Sequence, residues 1–227
     1  MWFVRKGSGG VSTQQPEWWC MGFRGWATRA FVALLGVMSL TGAGLGQSVR
    51  DTDPTSLQTV FVFGGRYYSE YIENGLNPFK PAYENNYFVG AGYQRFLPGD
   101  WHQWRLGLEV GLAARFGDTT SAEMWAGGVA RFDGIVLGNV RISPAITLGI
   151  SAESGPVGVE TVHAQEVPGG GDPALLFYMG PEINLSWADN PDLEVFWRIQ
   201  HRSGAWNTLG NMRDGANATA VGMRWKF

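Results

Sequence analysis

The chain has 227 residues, of which 33 are Gly, 11 are Trp and one is Cys, and its formal net charge is -3. This length suits one sizeable β domain. The small charge, with no run of basic residues, excludes nucleic acid as an expected partner. Abundant Gly and aromatic residues, few charges and no long apolar run are typical of membrane β-barrels, in which lipid-facing and lumen-facing residues alternate. Composition alone fits a soluble β-sandwich equally well.

The N-terminal region has the parts of a secretory signal peptide. Arg24 and Arg29 precede a short apolar stretch, which small residues follow. We therefore predict that residues 1–46 are a cleaved signal peptide with its natural start at Met21; the alternative is an uncleaved membrane anchor. The single cysteine, Cys20, precedes the apolar stretch, so the exported chain would carry neither a disulfide nor a lipid-modified cysteine.

The rest of the chain, residues 47–227, is predicted to form one outer-membrane β-barrel domain. Eight segments favour strand and are separated by turn signals. Long links at one end alternate with short links at the other, as in a barrel whose termini both face the periplasm. The predicted fold class is therefore all-β, an eight-stranded antiparallel transmembrane β-barrel. The eight segments are 58–68, 86–96, 103–116, 123–132, 140–152, 174–187, 193–203 and 217–227.

Charged residues recur on the lumen-facing side of these strands. In a barrel this small, such side chains fill the interior and must pair with one another. We therefore predict a structural ion network and no open pore. Its members would be Arg105, Glu109, Arg131, Glu182, Glu194, Arg198 and Arg224. Aromatic belts at the two membrane interfaces would use His102 and the tryptophans Trp125, Trp187, Trp197, Trp206 and Trp225.

One strand carries a histidine and a serine on its outward face. The apolar positions that begin at Leu193 and alternate to Ile199 continue to His201 and Ser203, so both side chains should point towards lipid. Residues i and i+2 of a strand are about 7 Å apart, so the two side chains can lean together. A histidine can activate a serine, and Asn217 on the last strand is its natural neighbour for orientation. Alternatively, these are ordinary polar residues at the rim.

The segment His201–Ser203, the loop with Asn211 and Asp214, and the last strand ending in Phe227 resemble the PagL-type lipid A 3-O-deacylases, or acyloxyacyl hydrolases. The resemblance implies that Ser203 attacks the ester at the 3-position of lipid A and that His201 is the general base. It also implies lipid A or lipopolysaccharide as substrate, the outer membrane of a Gram-negative bacterium as location, and no cofactor. A homodimer is left open.

Two positions depart from the family pattern. The family usually has Asn after the serine, whereas Gly204 stands here, so the backbone N–H groups of Ser203 and Gly204 would hold the oxyanion. The family's third catalytic residue is a Glu, and Asn217 occupies its position; an amide accepts a hydrogen bond from imidazole but carries no charge. Three interpretations follow: Asn217 itself orients His201 in a slower version of the site, another carboxylate acts, or the barrel is non-catalytic with a structural or surface-interaction role. The candidate carboxylates are Asp214, Glu160 and Glu166.

One predicted loop contains His163 near several carboxylates, but the spacing fits no ligand pattern for a metal. The glycine run at 169–171 lacks the lysine and the helix of a phosphate-binding loop. We therefore predict no metal site, and a flexible loop at these glycines.

Overall fold

The computed structural model describes residues 57–99, 103–132 and 135–227. The predicted signal peptide at residues 1–46, the predicted start at Met21, and His102 all lie outside these residues. Within the described part of the chain, no helix is both long and apolar enough to cross a membrane.

The described residues form nine strands and two short helices. The strands are β1 (Gln58–Tyr68), β2 (Tyr83–Phe96), β3 (Trp104–Phe116), β4 (Ser121–Phe132), β5 (Ile135–Leu137), β6 (Val140–Glu153), β7 (Leu175–Trp187), β8 (Asn190–Ser203) and β9 (Asn217–Lys226). A 3-10 helix, Ile72–Leu76, follows β1, and the helix α1, Val159–Glu166, follows β6.

Eight of the strands close into an antiparallel barrel, as predicted. Neighbours pair in the order β4-β3-β2-β1-β9-β8-β7-β6, and β4 pairs with β6 to complete the ring. The remaining strand, β5, was not predicted, because three residues are too few to reveal an alternation. It pairs with the first residues of β6 as a small hairpin. The hairpin turns at Gly138, whose φ of 60° is a conformation that glycine adopts without steric cost.

The two ends of the barrel differ in their links. At the terminal end, where β1 begins and β9 ends, only residues 188–189 separate β7 from β8. The opposite end, the loop end, carries four links. These are loop 1 (69–82), loop 2 (117–120), loop 3 (154–174) and loop 4 (204–216). Both His201 and Ser203 lie at the loop end, among the last three residues of β8 before loop 4.

The predicted ion network fills the terminal half of the lumen. Arg198 is fully buried and donates to both carboxylate oxygens of Glu109 at 2.7 and 2.8 Å, and to Glu182 at 2.8 Å. Each charge therefore has an opposite charge at hydrogen-bond distance, which a buried ion requires. Three more predicted members join the network, namely Arg131, Glu194 and Arg224. Arg105 is only half-buried and lies over the ring of Phe96, 4.5 Å from its centroid.

A second ion network, at the loop end of the lumen, was not predicted. Arg115 and Arg202 are both buried, and each pairs with Glu153 and Glu160. Glu123 lies beside them and accepts hydrogen bonds from neighbouring lumen side chains. Since Glu160 is held inside the barrel by two arginines, it is not the carboxylate that serves His201.

Aromatic rings separate the two networks, and one of them corrects a prediction. Trp125 is not in an interfacial belt; it is buried in the lumen, stacked on Tyr178 at 5.6 Å. Its Nε1 donates to Glu109 at 2.8 Å. Trp125 shares the parity of Glu123 along β4, so its orientation follows the charged face of the strand. Trp206, in contrast, is exposed, as are large apolar residues on the outward faces of the strands.

Candidate active site

The alternation along β8 turns His201 and Ser203 outward, as predicted. Glu194, Phe196 and Arg198 are buried in the lumen, while the residues between them face out. His201 is the register partner of Asn217 on β9, and it is half-buried. Because side chains of directly opposed residues on one face are neighbours, the fold brings these two together without any loop contact.

A short chain of hydrogen bonds fixes the imidazole of His201. The Nδ1 atom of His201 lies 2.6 Å from Oδ1 of Asn217. The other end of the same amide, Nδ2, donates to the backbone oxygen of Glu70 at 2.9 Å. A backbone carbonyl can only accept, so the Asn217 atom that contacts Glu70 must be the donor Nδ2. Oδ1 of Asn217 therefore faces His201, and because this oxygen is an acceptor, Nδ1 of His201 must carry the proton. The Nε2 atom of the neutral ring is then an acceptor, as a general base requires.

Loop 1 covers this site from outside, which the alternation alone did not predict. Asn217 and Thr219 have outward parity on β9, yet both are buried. The 3-10 helix of loop 1 packs on β8 and β9, and its Gly75 lies against the hydroxyl of Tyr68 and the side chain of Ile199. Asn217 is therefore buried by protein, and only the histidine and serine side of the site is left partly exposed.

Two carboxylates lie within electrostatic range of His201, namely Asp214 in loop 4 and Glu73 in the 3-10 helix. Asp214 was among the predicted candidates, whereas Glu73 was missed. Glu166, the third candidate, is exposed on α1. The sequence does contain a signal for a covering loop. Several outward positions at the ends of β1, β2 and β9 are polar, whereas contact with lipid would favour apolar residues there.

The hydroxyl of Ser203 is not directed at His201. It donates to the backbone oxygen of Arg213 at 2.9 Å and accepts from the N–H of Ala205 at 3.1 Å. Within the described residues it makes no hydrogen bond with the imidazole. A rotation about the Cα–Cβ bond would be needed to bring Oγ to Nε2, and hydrogen bonds between catalytic groups are often absent or long without substrate.

The backbone after Ser203 makes a sharp turn. Ala205, Trp206 and Asn207 have φ values of 47°, 58° and 67°, a left-handed run that costs non-glycine residues roughly 1–2 kcal/mol each. The carbonyl of Gly204 accepts from two amides inside this turn, at 2.9 and 3.0 Å. A Cβ at Gly204 would overlap with the carbonyl oxygen of Met212, so only glycine fits this position without a shift. Such strain is common next to functional groups.

Loop 3 packs against loop 4. The His163 Nδ1 atom lies 3.0 Å from the carbonyl oxygen of Gly215, and the Asn211 amide donates to the carbonyl of Gly170 at 3.1 Å. Gly169 and Gly170 have φ values of 85° and 81°, so these glycines form a turn. His163 thus serves the loop contact, and the described residues contain no cluster of three or more metal-ligating side chains.

Comparisons with known proteins identify the fold of the chain and no family. No protein-family model matches the chain, and no curated protein matches it. Among solved structures, the chain is similar to the outer membrane enzyme PagL, with 17% identity, a TM-score of 0.54, and coverage of 74% of this chain and 99% of that one. The chain folds as an eight-stranded barrel of the outer-membrane type.

Two further similar structures have TM-scores below 0.5. Neisserial surface protein A (NspA) is 12% identical, with a TM-score of 0.47 and coverage of 76% of this chain and 98% of that one. The N-terminal β-barrel domain of Pseudomonas aeruginosa OprF is 10% identical, with a TM-score of 0.43 and coverage of 75% and 96%. Similarity at this level says nothing about the chemistry of the site, which depends on this chain's own residues.

Proposed function

We propose that this protein is an outer-membrane hydrolase that removes an ester-linked acyl chain from lipid A, with Ser203 as nucleophile and His201 as general base. The observation that carries the proposal is the hydrogen-bond chain from the Glu70 carbonyl through Asn217 to His201. It presents, beside a serine on the outward face of the barrel, an imidazole whose Nε2 has no hydrogen-bond partner among the described residues. The similar structure of the outer membrane enzyme PagL supports the same setting.

The reaction would proceed through an acyl-enzyme. Nε2 of His201 takes the proton of Ser203 as Oγ attacks the ester carbonyl, and the tetrahedral oxyanion forms. His201 then returns the proton to the leaving alcohol oxygen of the sugar, which leaves the acyl group on Ser203. Water, activated by the same base, hydrolyses this ester and releases the fatty acid. The backbone N–H of Gly204, which donates to none of the described residues, is a candidate donor to the oxyanion.

The missing charge at Asn217 would be compensated by more distant carboxylates. When His201 accepts the serine proton it becomes an imidazolium, and a neutral amide stabilises this cation only as a dipole. Asp214 and Glu73 are both close enough to interact electrostatically with the ring. Burial of the ring outweighs these two interactions, so they would offset the missing adjacent charge only in part, and the reaction would run at a reduced rate.

The apolar face of β7 would hold the acyl chain. Phe177 is the register partner of Ser203, and Met179 is the partner of His201. Both residues have outward parity, and Phe177 is exposed. A fatty acyl chain lying along this face would remain among apolar side chains while its ester reached Ser203. This arrangement suits a lipid substrate in the leaflet at the loop end, which would be the outer leaflet.

Mass spectrometry of lipid A tests the proposal directly. The full chain is expressed in a Gram-negative host beside His201→Ala and Ser203→Ala, with Ser154→Ala in loop 3 as a matched control. We expect lipid A from cells with the wild type or the control to lack one hydroxyacyl chain. Lipid A from cells with either site variant should remain intact. Equal loss in the wild type and Ser203→Ala, with all proteins folded in the outer membrane, would refute the assignment.

A second candidate is a non-catalytic barrel with a structural or surface-interaction role. It is favoured by the orientation of Ser203, whose hydroxyl is bonded to loop 4, and by the neutral amide at position 217. The variant Asn217→Glu separates the two candidates. Activity in this variant, with an inactive wild type, would indicate a scaffold whose catalysis has lapsed through this substitution. Activity in the wild type would exclude the second candidate.

A further inference from the structure

An arginine stands on the outward face of the barrel at the loop end. Arg66 lies on β1 and is paired in register with Tyr87 on one side and Thr219 on the other. Its parity is that of the exposed residues Val60 and Val62, so its side chain faces out. A cation on the outward surface of a membrane barrel is costly unless it has a partner, and by default it indicates a function.

Aromatic rings hold the guanidinium in place. Its central carbon lies 5.4 Å from the ring centroid of Tyr83 and 5.3 Å from that of Tyr87. Tyr87 itself stacks on Phe116 at 6.0 Å, with 21° between the rings. The Tyr83 hydroxyl lies 2.9 Å from that of Thr219, so both rings that contact the guanidinium are fixed. Arginine favours such stacking, which leaves the edge of the guanidinium free to bind.

The charge of Arg66 has no carboxylate partner among the described residues. Its Nε donates to the backbone oxygen of Glu84 at 2.7 Å, which uses one of its five donors. The carboxylate of Glu84 is turned away, since it accepts from the N–H of Val159 at 3.1 Å and from Asn86 at 3.0 Å. The two Nη groups therefore remain available to an anion from outside the chain.

We propose that Arg66, held by Tyr83 and Tyr87, binds the phosphate group of an anionic lipid in the leaflet at the loop end. The Nη edge of an arginine matches two phosphate oxygens. The exposed side chains of Val89 and Phe116 lie on the same outward surface, on β2 and β3. Apolar surface next to a fixed cation suits acyl chains beside a phosphate, which distinguishes a lipid from free phosphate.

This site does not rest on the proposed hydrolysis. β1 and β8 are both neighbours of β9, so Arg66 lies two strand spacings, about 10 Å, across the barrel surface from the strand of His201. Binding at Arg66 can therefore be measured with Ser203→Ala, in which no acyl chain is removed. A failure of binding and a failure of hydrolysis are then separate results.

Native mass spectrometry of the full chain in a neutral detergent tests the proposal. The probes are lipid A with its phosphates, the same lipid A with the phosphates removed, and inorganic phosphate as a competitor. The variants Arg66→Gln and Arg66→Lys are made in the Ser203→Ala background. Arg95→Gln, which removes an outward arginine near the terminal end of β2, is the matched control. Arg66→Lys keeps the positive charge, so it distinguishes the loss of a contact with phosphate from a defect in folding.

We expect Arg66→Gln to weaken binding of the phosphorylated lipid about tenfold, because a charge-assisted bidentate contact is lost. Arg66→Lys should fall between Gln and wild type, and Arg95→Gln should match wild type. Binding of the dephosphorylated lipid should not change with any variant. Equal binding of the two lipids, or an unchanged affinity in Arg66→Gln, would overturn the proposal. Displacement of the lipid by inorganic phosphate at a comparable concentration would show that Arg66 binds free phosphate and not specifically a lipid.

Discussion

Replacing Asn217 by leucine would test whether the orientation of His201 limits the proposed hydrolysis. The two side chains are similar in size, but leucine can neither accept from Nδ1 of His201 nor donate to the carbonyl of Glu70. Both hydrogen bonds, at 2.6 and 2.9 Å, would be lost together. The imidazole would then rotate freely and could carry its proton on either nitrogen.

The expected size of the effect follows from the bond that is lost. When His201 accepts the serine proton, its bond to Asn217 becomes charge-assisted, and such a bond contributes about 1.5–3 kcal/mol. Loss of this contribution in the transition state lowers kcat/KM by roughly 10- to 150-fold. The KM should change little, because Asn217 is buried behind His201 and under loop 1.

The assay is the initial rate of fatty acid release from lipid A in mixed micelles, with Ser203→Ala as the blank. Asn139→Leu is the matched control, because Asn139 also donates through its amide, to Asp189 at 2.9 Å, but at the opposite end of the barrel. A rate for Asn217→Leu within threefold of wild type, in a folded protein, would show that the chain of hydrogen bonds is not needed. The reaction would then not depend on a proton held at Nδ1 of His201.

Three further substitutions have expected outcomes. Arg198→Met should lower the free energy of unfolding by roughly 3–5 kcal/mol, measured by urea titration in vesicles, because Glu109 loses its cation; a change below 1 kcal/mol would contradict the role of the network. Gly204→Ala should reduce activity at least tenfold while the barrel stays folded, because the added Cβ overlaps with the Met212 carbonyl oxygen; unchanged activity would mean that the turn adapts. Gly75→Ala should displace loop 1 and speed amide exchange there, because its Cβ would overlap with a buried tyrosine hydroxyl; equal exchange would show that the helix is not held at this point.

The alternation of side chains determined most of the barrel. It correctly predicted the eight strands of the barrel, the outward direction of His201 and Ser203, and the charged lumen around Arg198 and Glu109. The reason is local, since successive residues of a strand face opposite sides whatever the strand packs against. Trp125 is the exception, because its residue type favours an interfacial belt whereas the parity that it shares with Glu123 places it in the lumen.

Only the tertiary structure decided how the candidate site is completed. The burial of Asn217 depends on loop 1, and the engagement of Glu160 depends on two arginines more than 40 positions away in the chain. The direction of the Ser203 hydroxyl depends on the carbonyl of Arg213 in loop 4. These contacts join residues that follow no period and are far apart in sequence. A strand pattern therefore determines which face a side chain occupies, whereas loop packing decides what it meets there.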